Sequence, residues 1–266
     1  MHHVTFRVIF LSFRSNSDAS VSDKISNNLM AVKDRIKSAC KKCGRNPSEI
    51  QLIGVSKTRT AEEVISASRA GLADFGENRV QEADEKKGSI NKSLSTETSL
   101  STFRWHLIGH LQSNKVNKAV ELFDVIHSVD TTDLAHKLGE ACFAIGKSID
   151  CYVQVNASGE GSKSGASFED AEFIASRVVA QISLKLVGFM TIGPMTSDET
   201  AIESCFIDLR RLRDRLSLLH PEWGNLGLSM GMSGDYELAI KSGATAIRIG
   251  SALFGARDYS QATGSF

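Results

Sequence analysis

A few residues in this chain carry the potential for covalent or anion-binding chemistry, and Lys57 comes first. It follows the apolar run Ile53-Gly54-Val55, so it would rise from the end of a rigid element. Partial desolvation of a lysine there favours the neutral amine that attacks a carbonyl; the alternative is a lysine that only begins a loop. Further along, Leu228-Ser229-Met230-Gly231-Met232-Ser233-Gly234 and Arg248-Ile249-Gly250-Ser251 combine small residues with hydroxyls. Glycines let a backbone approach an anion, and Ser229, Ser233 and Ser251 would add hydroxyl donors. Two tight turns made of small residues are the plainer alternative. Phe75-Gly76-Glu77-Asn78 offers an acid and an amide, and Gly109-His110-Leu111-Gln112 ends another apolar run. His106 alternates in phase with Ile108 and is expected to be packed inside the fold, without a catalytic role. Cys40 and Cys43 form a C-x-x-C with no second pair at zinc spacing, which suggests two surface or half-buried helix cysteines.

The elements that must position these residues follow a repeating order. Val21, Ile25, Leu29, Val32 and Ile36 recur at helical spacing, so an amphipathic helix should open the fold and end at Cys43-Gly44. Eight short apolar runs follow: Gln51–Ser56, Leu72–Gly76, Trp105–Gly109, Val125–Val129, Cys151–Asn156, Leu184–Ile192, Leu226–Met230 and Ala246–Ile249. Helical patterns lie between them, at Thr60–Ala70, Val80–Lys87, Ser113–Leu122, Asp133–Ile145, Phe168–Gln181, Glu199–Leu219 and Tyr236–Ser242. This alternation predicts parallel strands and an α/β fold, a single (β/α)8 TIM barrel preceded by an N-terminal helix. An open doubly wound sheet is the alternative, but the first strand runs into Ser56-Lys57-Thr58 and not into a glycine fingerprint.

The expected organisation is a disordered tail over 1–20, a barrel over 21–257 and a short tail over 258–266. A flexible insertion is expected over 88–103, where eight of sixteen residues are Ser or Thr. It should lie on the barrel's N-terminal face, away from any site. Residues 1–20 are a weak candidate for organellar targeting. The composition excludes other classes. With 31 basic and 31 acidic side chains, no net field draws the protein to nucleic acid or an anionic membrane. No apolar run reaches the ~18 residues of a membrane span, and five scattered cysteines point to a reducing compartment.

A barrel carries its chemistry at the C-terminal ends of its strands and often binds phosphate after strands seven and eight. Lysine at the end of strand one and glycine-serine turns at strands seven and eight together suggest a phosphorylated carbonyl compound held as a Schiff base. Pyridoxal 5′-phosphate (PLP) and a sugar phosphate of the aldolase kind both fit.

The motifs also carry a family resemblance. Ile53-Gly54-Val55-Ser56-Lys57-Thr58, Phe75-Gly76-Glu77-Asn78 with Val80-Gln81-Glu82, and His106-Leu107-Ile108-Gly109 with Leu111 to Lys115 are part of it. So are Val155-Asn156 with residues 159–165, Met190-Thr191-Ile192, Leu228 to Ser233, Arg248 to Ser251 and Phe254-Gly255. Over roughly residues 22 to 257 the chain resembles the pyridoxal phosphate homeostasis protein family, whose barrel is similar to the N-terminal domain of alanine racemase.

The resemblance implies that Lys57 forms an internal aldimine with PLP, that Asn78 lies near the ring and that Arg248 approaches the pyridine nitrogen. It further implies a phosphate site formed by Ser229, Met230, Ser233, Gly250 and Ser251 through side chains or backbone. The implied role is vitamin B6 and amino-acid homeostasis without established turnover, with PLP-dependent apo-enzymes as candidate partners. The cysteines suit the cytoplasm, and a barrel whose helices carry charges on their outer faces can be a monomer. A weak amino-acid racemase or another PLP enzyme is the alternative. It is disfavoured because Tyr152, Tyr236 and Tyr259 belong to no second domain of the kind a racemase uses. The chain departs from the family pattern at Arg59-Thr60, where Lys-Pro is common, at Arg79, where a tyrosine is common, and at Gly234, where an acid is common.

Overall fold

A computed structural model describes residues 16–94, 103–159 and 164–256. The expected tails at 1–15 and 258–266, the stretch 95–102 and residues 160–163 of the glycine-rich motif lie outside the described residues. Eight strands, β1 (Gln51–Val55), β2 (Asp74–Glu77), β3 (Arg104–Leu107), β4 (Val125–Val129), β5 (Ile149–Gln154), β6 (Leu184–Met190), β7 (Gly227–Ser229) and β8 (Ala246–Ile249), follow one another around a closed barrel. Every neighbouring pair is parallel, including β8 against β1, where Ile53 stands beside Arg248. The predicted TIM barrel is the fold.

Helices α1 (Asn16–Lys42), α2 (Ala61–Arg69), α3 (Val80–Leu94), α4 (Val116–Leu122), α5 (Thr132–Ala144), α6 (Ala171–Val179), α7 (Glu199–Leu219), α8 (Tyr236–Lys241) and α9 (Ser251–Phe254) surround it. The main apolar core fills the layer between strands and helices. Phe75, Leu107, Ile126, Val153, Phe189, Leu228 and Ile247 face outward from the barrel into it. A smaller cluster of Val125, Tyr152 and Met190 sits apart. Buried polar groups occupy the barrel axis beside it, as described below.

α1 buries Ile25, Leu29, Val32, Ile36 and Cys40. It packs on α2, α8 and α9, closing the seam where the first and last βα units meet. Asn28 Nδ2 donates to Leu253 O at 2.9 Å, and Arg45 donates to the carbonyls of Ile240 and Ala244 at 2.9 and 2.7 Å.

Three expectations are corrected here. The helix begins at Asn16, so five residues assigned to the tail belong to it. Apolar periodicity marks only the packed part of a helix, which its backbone can extend through polar residues. Cys40 is fully buried, neither at the surface nor half-buried, because it falls on the same stripe as Ile36. Lastly, residues 88–94 are helical. Ile90 supplies a buried anchor one turn beyond Lys86, while Ser89 and Ser93 donate their hydroxyls to carbonyls four residues back. Among the described residues, no helix is long and apolar enough to cross a membrane.

Candidate cofactor site

β1 ends in a sharp turn that carries Lys57. Thr58 has φ +63°, the left-handed region that a threonine seldom adopts, and is the one described non-glycine residue there. The contacts that hold it are specific. The Thr58 N–H donates to Glu82 Oε1, Ser56 N donates to Gly76 O at 2.9 Å, and Arg59 N donates to Ser56 O at 3.0 Å. Beneath the turn, the buried Lys86 ammonium donates to Ser56 O, Glu77 Oε1 and Glu82 Oε1. Ser56 Oγ donates to Glu77 Oε1 at 2.7 Å.

Glu77 is therefore not an acid at the barrel mouth, as its position after β2 suggested. It is fully buried and faces α3, with burial raising its pKa and Lys86 opposing the shift. Arg59 donates to Gly255 O and pairs with Glu63, and Thr60 caps α2 in a capping box with Glu63. The departure from Lys-Pro thus replaces one helix start with another.

Lys57 lines a cavity of about 260 Å³ at the C-terminal ends of β1, β7 and β8, together with Arg59, Ser233, Arg248, Gly250 and Ser251. Among the described residues its lining holds three basic side chains, Lys57, Arg59 and Arg248, and no carboxylate. The N–H groups of Gly250 and Ala252, at the start of α9, both donate to Ser233 Oγ, at 3.2 and 3.4 Å. At Gly231 the chain needs a glycine, with φ +93° and Ala239 Cβ only 2.5 Å from where a Cβ would stand. Asn78 lines a neighbouring cavity of about 240 Å³ with His110, Gln154, Asn156 and Thr191.

Five of the eight expected residues thus meet around one cavity, while Asn78 lines a different one. Ser229 and Met230 do not line either cavity. Ser229 is buried, with its hydroxyl between Arg248 Nη1 at 2.8 Å and His127 Nδ1 at 2.9 Å. Strand alternation turns its side chain into the barrel. The Met230 side chain belongs to the layer beneath the helices, and its N–H donates to Ala246 O at 3.1 Å.

The barrel interior holds groups that sequence reasoning missed. His106 is buried inside, as expected, with Nε2 2.9 Å from Asp74 Oδ1 and Nδ1 2.9 Å from His127 Nε2. His127 stacks on Tyr152, with centroids 4.4 Å apart. The available signal was its alternation in phase with Val125, which puts an imidazole on the inner face of β4. Burial lowers the pKa of both histidines; Asp74 opposes this for His106, while His106, Arg248 and Arg104 add to it for His127. Arg248 also donates through Nη2 to Thr191 O at 2.9 Å, and burial brings its pKa down to about 10. It remains a cation at neutral pH.

Comparison with known proteins settles the lineage. Residues 27–258 match the family described as alanine racemase, N-terminal domain. The pyridoxal phosphate homeostasis protein of Pseudomonas aeruginosa is 43% identical over 235 residues, covering 88% of this chain and 96% of that protein. The chain belongs to the pyridoxal phosphate homeostasis protein family. The member of that name from Escherichia coli K12 is 37% identical over 238 residues, 89% of this chain and 98% of the relative.

Among solved structures, PipY of Synechococcus elongatus with PLP bound superposes with a TM-score of 0.74 at 34% identity, covering 87% of this chain and all of PipY. Alanine racemase of Clostridium difficile shares the fold, with a TM-score of 0.66 at 13% identity over 90% of this chain and 58% of the racemase. The family's close members are thus named for homeostasis, while the barrel itself is shared with racemases.

Proposed function

We propose that the protein binds PLP reversibly as a Schiff base on Lys57 and acts in PLP and amino-acid homeostasis as a carrier, without turnover of its own. The observation that carries this reading is a cavity whose described lining holds three basic side chains and no carboxylate, bounded by a lysine at the end of β1 and by the N–H groups that open α9. Such a donor set fits a phosphorylated aldehyde. Ser233, Gly250 and Ser251 would hold the phosphate and Arg59 would add charge; Asn78 would flank the ring. Ser229 would act through Arg248.

When bound, PLP supplies a reactive aldehyde that condenses with amines. Arg248 is assigned to the ring nitrogen, where a cation disfavours protonation and weakens the ring as an electron sink. Racemisation would need a second base at the mouth. Among the described residues the tyrosines are poorly placed for it: Tyr152 is inside the barrel and Tyr236 is buried on α8, and neither lines the cavity of Lys57. Transfer of PLP to apo-enzymes, cytoplasmic residence and a monomeric state belong to the same proposal.

The test is the absorbance of protein incubated with PLP. A band near about 420 nm is expected in the parent and absent in Lys57→Ala; an unchanged band in that variant would overturn the lysine assignment. Turnover of D- or L-alanine faster than about 1 per second would replace the carrier reading with that of a racemase.

A further inference from the structure

The polar groups inside the barrel form one continuous line across it. Asp74 stands at the start of β2, with its side chain one-fifth exposed. Its Oδ1 accepts from Gln51 Nε2 at 2.8 Å and contacts His106 Nε2. The line continues through His127 on β4 and Ser229 on β7 to Arg248 on β8. β4 and β7 are not neighbours, so the His127–Ser229 contact crosses the barrel's axis. All four contacts between Asp74 and Arg248 measure 2.8–2.9 Å.

The donors can be assigned from the two ends. An Asp74 carboxylate only accepts, so His106 Nε2 carries its proton and donates. A neutral His106 then accepts at Nδ1, which requires the proton of His127 on Nε2. His127 Nδ1 must accept, and the only donor facing it in this line is the Ser229 hydroxyl. Ser229 Oγ in turn accepts from Arg248, which has no acceptor capacity. Each group therefore has one role, and no step of the line can be reversed while both imidazoles are neutral. Burial keeps them so.

We infer that Asp74, His106, His127 and Ser229 act as positioning residues for Arg248, a one-directional hydrogen-bond chain that anchors its guanidinium at the mouth from the far end of the barrel. Ser229 takes Nη1 and Thr191 O takes Nη2, so the guanidinium plane is fixed where Arg248 lines the cavity. The inference rests on the reading of the cavity as a PLP site only for its functional consequence. The chain itself is a property of the protein without ligand.

Two measurements test it. In ligand-free protein labelled with 15N-histidine near neutral pH, His106 and His127 should both be neutral, with the proton on Nε2. A proton on Nδ1 of either ring would overturn the chain. Ser229→Ala removes the link to Arg248 with little change of volume, while Ser229→Thr keeps a hydroxyl. The alanine variant should release PLP about tenfold more readily and shift its absorbance band, and the threonine variant should recover parent behaviour. Parent-like retention and spectrum in Ser229→Ala, or a defect that Ser229→Thr does not repair, would overturn the positioning role. If the parent protein takes up no PLP at all, the site reading fails, and the histidine tautomers still decide the chain.

Discussion

Lys57, the proposed site of the Schiff base, sits on a turn whose shape depends on residues that never reach the cavity. Lys86 and Glu77 are both buried, and Glu77 Oε2 has no hydrogen-bond partner among the described residues. Removing the ammonium would leave a buried carboxyl with only Ser56 and would leave the carbonyl of Ser56, one residue before Lys57, to the Arg59 N–H alone. Lys86→Met should therefore cost about 3–5 kcal/mol in urea unfolding, and pairing it with Glu77→Gln should recover part of that loss. A loss in the double variant equal to the sum of the losses in Lys86→Met and Glu77→Gln would show that the pair is not coupled.

The histidines give a pH dependence of a defined sign. Their pKa values are lowered on folding, so the unfolded chain binds protons more readily below the ordinary value of 6.5. Stability is then fully present above that pH and is lost as the pH falls below it, by up to about 1.4 kcal/mol per pH unit for each histidine. Unfolding free energies at about pH 7 and 5.5 should differ more in the parent than in His127→Gln. Lys57, Ser233, Gly250 and Ser251 were legible in the sequence because each lies in a local motif at a strand's end. The inner chain was not, because its links join residues 32, 21 and 102 positions apart, and a histidine within Val125–Val129 reads as part of an ordinary buried strand.

At the scale of elements, the eight strands were read in the right order because βα repetition is a pattern of composition, independent of contacts. β4, β8 and α7 fall on the residues expected from periodicity alone. The differences lie where packing and periodicity part. α3 passes through a Ser-rich stretch because Ile90 is 2% exposed on the same face as Val80, Ala83 and Lys86. Ile90→Ala should destabilise by about 2–4 kcal/mol and lower the protection of amides over 88–94 in hydrogen exchange. Unaltered exchange there would mean that the end of α3 stands on its backbone alone. Ser229 and Met230 are absent from the lining of both cavities for a related reason: a loop motif read from sequence does not say which of its residues strand alternation has already turned away.

For the whole molecule, one rim gathers Lys57, Ser233, Arg248, Gly250 and Ser251, the residues proposed to hold the cofactor, and the barrel's axis ties that rim to Asp74 at the other end. The first and last βα units, which carry β1 and β8, are joined from outside by α1. PLP that binds only the folded state should raise unfolding free energy, by about 2.7 kcal/mol at a hundredfold excess over its dissociation constant. The gain should vanish in Lys57→Ala and shrink in Ser229→Ala.

The most direct test of the central claim is borohydride reduction of the protein incubated with PLP, followed by peptide mass spectrometry. The account predicts that the added phosphopyridoxyl mass falls on the peptide containing Lys57, and on no lysine at comparable yield elsewhere. A label spread over surface lysines, or absent from Lys57, would contradict it.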